Sequence, residues 1–252
     1  MTAQSAKTVA VTGAAQGIGL GYARHLYEHG YSVALLDVNE AKLAEVARQF
    51  EDAERAVVVL IDVSDPESCQ KAAGVLTQHF DHLDGLINNA AIFSTLQSRP
   101  FWDIPIEEWD RVLAVNVRGP WLVVTSLLPT LKASDGASIV NIGSDTALAG
   151  RPPGFLHYVS SKGAVQAMTY AMSRELGQFG IRVNTISPGF VQTELPNPRL
   201  SDDAKRALVA QQALPRMAVP DDIAAVAEFL LSDASRHVSG QTLSVNGGWL
   251  HK

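Results

Sequence analysis

Apolar residues in this chain come in short unbroken runs, each followed by a longer amphipathic stretch. The runs cover residues 8–12, 32–36, 56–61, 85–88, 137–142, 181–186 and 242–245. They are bounded by Gly, Pro, Asp or Asn, and their continuity predicts strands buried on both faces. Between them the apolar spacing predicts helices over 17–29, 41–50, 66–80, 158–179 and 220–231. A further long helical stretch covers 107–131, with an interruption expected near Gly119-Pro120. Asp65 is placed to cap the helix that opens with Pro66.

Strands of this kind alternating with helices make a parallel sheet covered on both sides. The expected fold is α/β: a doubly wound (Rossmann-type) seven-stranded parallel sheet in a single domain spanning residues 1–252. The rhythm breaks at 192–216. There Pro196, Pro198 and Pro215, with Pro188 just upstream, surround a short helix over 201–212. A long insertion after the C-terminal end of a strand is the expected place for a substrate lid.

Composition narrows the function classes. The chain has 252 residues, 46% hydrophobic and 18% charged, with a net charge of −6. That balance gives no basic footprint for nucleic acid or an anionic membrane. The single cysteine, Cys69, excludes an intrachain disulfide and fits a reducing compartment. No signal-like segment opens the chain, and no apolar run reads as a membrane span. The expected location is cytoplasmic.

The first predicted strand runs into Gly13-Ala14-Ala15-Gln16-Gly17-Ile18-Gly19. A helix follows, then a second strand closing on Asp37. The spacing differs from G-x-G-x-x-G, but the physics is similar. Gly13 permits a tight turn, Gly17 lets the backbone approach a pyrophosphate at a helix N-terminus, and Gly19 allows close helix–strand packing. Strand, glycine turn, helix and strand form the setting that a dinucleotide site requires. Asp37 would accept hydrogen bonds from ribose hydroxyls and repel a 2′-phosphate. With Val38 and Gln16 beside it, no neighbouring cation is expected to hold that phosphate, so NAD is favoured over NADP. The bland alternative for Asp37 is a capping residue. Asp62-Val63 ends the third strand, where the carboxylate would meet adenine or simply form a turn.

Tyr158 and Lys162 lie four residues apart in a helical pattern and so share one face. An ammonium beside a phenol would lower its pKa and make a usable acid/base. Taken alone, the pair reads more readily as an accidental surface pair.

Taken together, these residues resemble the short-chain dehydrogenase/reductase family. Thr12 to Gly19 is similar to its cofactor motif, and Asn88-Asn89-Ala90-Ala91 to its N-N-A-G motif. Pro188-Gly189-Phe190-Val191-Gln192-Thr193 is similar to its P-G-x-x-x-T segment, and 239–248 to its C-terminal strand. The resemblance implies a catalytic set of Asn116, Ser144, Tyr158 and Lys162. It implies cofactor contacts from Gly13, Gln16, Gly17, Ile18, Gly19, Asp37, Asp62, Val63, Asn89, Ala90, Pro188, Gly189, Val191 and Thr193, besides Tyr158 and Lys162. Asn116 would place a water behind Lys162, its alternative being a kink-forming asparagine. The family is often tetrameric, which implies a homo-oligomer, a tetramer or a dimer, packed through its two long central helices and its last helix and strand. The C-terminal tail with Trp249 would approach a neighbouring subunit.

Two departures stand out. Ala91 replaces the family's usual glycine. Ser144 lies fourteen residues before Tyr158 where thirteen is usual, and Asp145 holds the thirteenth place. A carboxylate would donate poorly to a carbonyl, so Ser144 is kept, with one residue inserted in the loop 150–155.

The implied reaction is hydride transfer between NAD and a small secondary alcohol or ketone. Phe93, Leu148, Phe155, Leu156 and Leu195 would form an apolar pocket. A sugar or polyol substrate, read by Ser94, Thr95, Gln97 and Asp145, is the alternative within the family. A nucleotide-binding regulator without turnover is the alternative outside it. Arg151 reads as a solvated loop residue, and His157 as a surface or supporting one. No histidine pair reads as having metal-ligand spacing, and no metal is expected.

Overall fold

The computed structural model describes residues 6–195 and 201–251. Seven parallel strands form one sheet: β1 (Thr8–Thr12), β2 (Ser32–Asp37), β3 (Ala56–Leu60), β4 (Gly85–Asn88), β5 (Ser138–Ile142), β6 (Arg182–Pro188) and β7 (Thr242–Val245). Their order is β3-β2-β1-β4-β5-β6-β7. The winding reverses between β1 and β4, and at such a switch point the loops beyond the strands' C-terminal ends diverge to leave a crevice.

Period-two alternation assigns the two sides. Val9 and Val11 of β1 and Val33 and Leu35 of β2 face one core. Ala10, Ala34 and Leu36 face the other. The first core is covered by α1 (Gly17–Glu28), α2 (Glu40–Ala47) and α9 (Pro220–Leu231). The second is covered by α3 (Pro66–His79), α5 (Gly119–Lys132) and α7 (Leu156–Leu176). Asp65 caps α3 as expected, its carboxylate accepting from the amides of Glu67 and Ser68. Two other helices are short: α6 (Thr146–Ala149), which the apolar pattern did not announce, and α8 (Asp202–Val209). α8 begins one residue later than expected, with Ser201 as its cap, and ends three residues early. Residues 196–200 of the expected lid, with Pro196 and Pro198, lie outside the described residues.

The long stretch is interrupted one turn earlier than expected. α4 (Ile106–Leu113) passes into a π-helical turn at Ala114–Arg118 before α5 begins. Pro120 has no N–H for the carbonyl of Asn116, four residues back, so the wider turn forms on the N-terminal side of the proline. The combined helix, Ile106–Lys132, is long and apolar enough by length and composition to cross a membrane, which the sequence reading did not register. Its Leu122, Val123, Leu127 and Leu131 are instead buried in the second core.

Candidate active site

The glycine turn is packed to the point where only hydrogen fits. Gly13 (φ +68°) and Gly17 (φ +61°) are left-handed. A Cβ on Gly13 would lie 2.9 Å from Ala90 Cα, and one on Gly19 would lie 2.0 Å from the carbonyl oxygen of Gly13. Asn89 fixes the turn from β4, its Nδ2 donating to the carbonyls of Thr12 (3.0 Å) and Gly13 (3.2 Å). Thr12 Oγ1 accepts from the amides of both Asn89 and Ala90, each at 3.0 Å. Thr12 sat in the motif without an assigned role, and its role is to tie β1 to β4.

α1 opens at Gly17, and Gln16 makes no side-chain cap. The free amide of Gly17 donates to Glu194 Oε1 at 2.7 Å. The helix N-terminus already holds an anion, as its unpaired amides and dipole favour. Sequence reasoning missed Glu194, because nothing in its local pattern pairs it with a residue 177 positions away. Ile18 is half-buried beside this amide.

Asp37 is held at both oxygens, Oδ2 accepting from the amide of Ala15 (3.0 Å) and Oδ1 from that of Asn39 (2.9 Å). The expectation of no nearby cation fails. α2 brings Lys42 back across the turn, where its Nζ donates to Gln16 Oε1. The residues at positions 16 and 38 could not reveal a lysine delivered by the next helix.

Asp62 Oδ1 accepts from the amide (2.8 Å) and hydroxyl (2.6 Å) of Ser64, the bonds of a turn former. Val63 is buried, and a Cβ on Gly119 would meet its Cγ2 at 2.9 Å. Beyond β6, Gly189 donates to the carbonyl of Val245 (3.0 Å), and its bare Cα faces Asn246. Pro188 is buried, Val191 bridges to Ala218, and Thr193 Oγ1 accepts from the amide of Leu195 (3.3 Å).

Ser144, Tyr158, Lys162 and Asn116 converge at the ends of β5, α7 and the π turn. Tyr158 is buried and hydrogen-bonded to Ser144. Ser144 Oγ also accepts from Thr146 Oγ1 at 3.0 Å. Lys162 is buried one turn along α7, with Nζ donating to the carbonyl of Ile142 at 2.7 Å. Its Nζ stands 5.8 Å from the centre of the Tyr158 ring.

The electrostatics overturn one expectation. Burial pushes the Tyr158 phenol up to about 12, and the hydrogen bond with Ser144 offsets this only in part. Burial lowers the Lys162 ammonium to about 8. Desolvation outweighs pairing because Lys162 spends its ammonium on a carbonyl instead of touching the phenol.

Asn116 is committed as well. Its Oδ1 accepts from the amide of Ile92 (2.8 Å), and its Nδ2 donates to the Ile92 carbonyl (3.2 Å) and to Ser161 Oγ (3.1 Å). The side chain therefore splices the π turn to α7 and to the segment after β4. Pro120 withholds the i+4 donor from its main-chain carbonyl.

Ser144 and Asp145 point in different directions. Asp145 is fully buried and points to the β7 end, accepting from Ser244 Oγ (2.8 Å) and Asn246 Nδ2 (2.5 Å). This also removes Asp145 from any sugar-reading role. His157 is wholly buried, not at the surface, with Nε2 3.3 Å from Glu108 Oε1. Among the expected pocket residues, Phe93 stacks on Tyr158 (4.4 Å between ring centres) and on Phe155 (5.6 Å). Leu148 and Leu156 are exposed, and Leu195 sits against Gly17. Trp249 packs on Phe190 of its own chain. Arg151 is exposed, 3.4 Å from Gln211 Oε1, as expected of a loop arginine.

Comparison with known proteins places this arrangement. A family model described as enoyl-(acyl carrier protein) reductase matches residues 13–250. The chain is 35% identical over 248 residues to a cyclopentanol dehydrogenase from Comamonas sp., covering 96% of each. A Brucella melitensis structure described as a short-chain dehydrogenase/reductase, glucose/ribitol dehydrogenase, superimposes with a TM-score of 0.88 at 30% identity, covering 98% of this chain and 97% of that one. A 3-ketoacyl-(acyl-carrier-protein) reductase from the same organism, solved with NADH, gives 0.87 at 30% identity, covering 96% and 98%. A blue fluorescent protein from a metagenomic library, solved with NADPH, gives 0.87 at 30% identity, covering 97% and 98%. With the glycine turn, the doubly wound sheet and the serine–tyrosine–lysine cluster in one architecture, the chain belongs to the short-chain dehydrogenase/reductase family of oxidoreductases.

Proposed function

We propose that this protein is an NAD-dependent dehydrogenase of a small secondary alcohol, cyclic or aromatic, working reversibly on the corresponding ketone. The observation that carries the reading is the environment of Tyr158. Its hydroxyl is bonded to Ser144 while its ring packs against Phe93, so the acid/base group has an aromatic wall beside it. The similarity to a cyclopentanol dehydrogenase supports the same substrate class.

The residues fit a dinucleotide. The tight turn at Gly13–Gly19 presents the amide of Gly17, which holds a carboxylate where a pyrophosphate would lie. Asp37, pinned by two amides, would accept from the adenosine ribose, with Asp62 and Val63 beside the adenine. Asn89, Ala90, Pro188, Gly189, Val191 and Thr193 would line the nicotinamide half. We assign NAD over NADP because two hydrogen bonds prevent Asp37 from swinging aside to admit a phosphate, while Lys42 is engaged by Gln16. When bound, the oxidised nicotinamide would supply the hydride acceptor and a second positive charge beside that of Lys162.

The chain's own groups do the rest. Tyr158 Oη takes the hydroxyl proton of the alcohol as the carbinol C–H bond breaks, and returns it to the carbonyl oxygen in the reverse direction. Ser144 Oγ holds the substrate oxygen and stabilises its developing negative charge. Lys162, anchored on Ile142, keeps a positive charge beneath the site. The main-chain carbonyl of Asn116 offers a water seat on the proton path behind it. The segment 192–216 would act as the lid. Trp121 on α5 and Tyr170 on α7 stand exposed and support an oligomer built through these helices.

A panel of cyclic and aromatic secondary alcohols, followed by NADH absorbance, tests the reading. The cyclic alcohols are expected to be turned over with NAD faster than polyols. Tyr158→Phe should abolish turnover and leave NADH binding intact. Turnover surviving that change would remove the mechanism, and a preference for polyols would remove the substrate class.

A further inference from the structure

Far from the proposed active site, α1 and α9 bring together a second group of chemically capable side chains. His25 lies in the last turn of α1 and His29 caps its C-terminus four residues on, and their rings lie side by side, 4.2 Å between centres. The spacing of the two histidines escaped the sequence reading, which found no metal-like pair. The reason is that the third member, Glu228, comes from a helix 199 residues away. Glu228 Oε2 lies 2.9 Å from His25 Nε2 and 2.7 Å from His29 Nδ1. The other ring nitrogen of His25, Nδ1, meets Asp221 Oδ1 at 2.5 Å.

We propose that His25, His29 and Glu228 form a binding site for one divalent transition-metal ion of the zinc class, which clips α1 to α9.

The donor set fits that class. Two imidazoles and one carboxylate are borderline-soft ligands suited to Zn²⁺, Co²⁺ or Ni²⁺, and they lack the oxygen-rich shell that Mg²⁺ or Ca²⁺ requires. Two histidines at i and i+4 on one helix are a recurring way to offer two corners of a tetrahedron. The three ligand atoms all lie within 4.8 Å of one another. Around an ion with bonds of ~2.0 Å, tetrahedral ligands stand about 3.3 Å apart. The contacts of 2.7 and 2.9 Å therefore need to open by only a few tenths of an ångström.

The surroundings are built for the same purpose. Asp221 on His25 Nδ1 supplies the outer carboxylate that orients a metal-bound imidazole and directs its other nitrogen to the ion. The frame is rigid: a Cβ on Gly21 would lie 2.4 Å from Pro220 Cβ, so the helices are in close contact one turn before His25. Ile223, Ala224 and Ala227 of α9 and Tyr22 and Leu26 of α1 are buried in the core beneath. His25 is buried, but His29 is 49% exposed and Glu228 29% exposed, which leaves an entry route and room for a water in the fourth position.

The site is separate from the proposed hydride chemistry. His25 is eight residues along α1 from Gly17, a rise of roughly 12 Å at 1.5 Å per residue, and His29 lies beyond the helix end. An ion here would bind the folded state and not the unfolded chain, so it would stabilise by mass action. It would also tie the helix that opens at the glycine cradle to the helix that follows the 192–216 segment.

The test uses the full-length protein without an affinity tag. Titration with Co²⁺, read by its visible d–d bands, should show about one tetrahedral ion per chain, and calorimetry with Zn²⁺ should give the same stoichiometry. His29→Ala and Glu228→Gln should each weaken binding at least ~10-fold, and Asp221→Asn should weaken it by roughly 10- to 100-fold. All three should bind NADH like the wild type, which separates loss of the site from loss of the fold. The proposal is overturned if the wild type takes up no stoichiometric Co²⁺ or Zn²⁺. It is equally overturned if His29→Ala and Glu228→Gln retain wild-type affinity, which would place the ion elsewhere.

Discussion

Replacing Lys162 with Met should stabilise the protein while abolishing turnover. The ammonium is buried, and its one described partner is the carbonyl of Ile142. Burial lowers it from 10.5 to about 8. At 1.36 kcal/mol per pH unit this corresponds to a cost of roughly 3 kcal/mol near pH 7, where the group is charged in both the folded and the unfolded chain. Methionine fills a similar volume without the charge. The lost hydrogen bond to Ile142 gives back about 1 kcal/mol, leaving a net gain of roughly 2 kcal/mol.

The sign with pH is fixed by the same shift. Between pH 8 and 10.5 the folded protein has lost the proton that the unfolded lysine still carries, so wild-type stability rises with pH across that window. By pH 9 about 1 kcal/mol of the burial cost has gone, and the advantage of the Met variant should shrink by that amount. Urea unfolding of both proteins at pH 7 and pH 9, without cofactor, measures the two differences. A Met variant less stable than wild type at pH 7, or one whose advantage is the same at both pH values, would falsify the desolvation argument.

The other predictions concern the cofactor cradle and the spacing before Tyr158. Asp37→Ala should lose most of the preference for NAD over NADP, measured as the ratio of kcat/KM values. A wild type already faster with NADPH would refute the assignment. Glu194→Ala should tighten NADH binding roughly fivefold, the effect of ~1 kcal/mol from an exposed carboxylate that no longer competes for the Gly17 amide. Unchanged or weaker binding in a fluorescence titration would show that Glu194 does not hold the phosphate position. Ser144→Ala should lower kcat roughly 100-fold. Asp145→Ala should instead lower stability by roughly 2 kcal/mol, through two unpaired partners at the β7 end. The reverse pattern would place the catalytic donor thirteen residues before the tyrosine.

What was legible in the sequence was what period and neighbourhood encode. Continuous apolar runs specify a two-sided sheet, and in β1 and β2 alternate residues of one run supply two different cores. The glycine turn was legible because its requirement, a backbone without Cβ, is written in residue identity. What was hidden depends on residues far apart in sequence. Lys42 reaches Gln16 because α2 folds back over the turn. Glu194 reaches Gly17 across 177 positions, and Asp145 turns away from the pocket because Ser244 and Asn246 attract it. The π turn at Ala114–Arg118 was displaced from its expected place because a proline disturbs the carbonyl four residues before it, not its own position.

The largest reversal concerns the tyrosine–lysine pair, and it follows from burial. Helical spacing places the two side chains on one face but fixes neither their distance nor their solvent. With Lys162 bonded to Ile142 and both groups buried, each resists its charged form. A neutral phenol is already the form that gives a proton to a carbonyl, so reduction needs no further activation of Tyr158. Oxidation needs a phenolate, and the described groups around Tyr158 do not produce one at neutral pH. Under the proposed mechanism a further positive charge, added to that of Lys162, arrives with the oxidised cofactor. The same burial that disfavours the phenolate in the free protein then strengthens its attraction to that charge. Cofactor occupancy thereby favours proton removal, against a burial that holds the free phenol up.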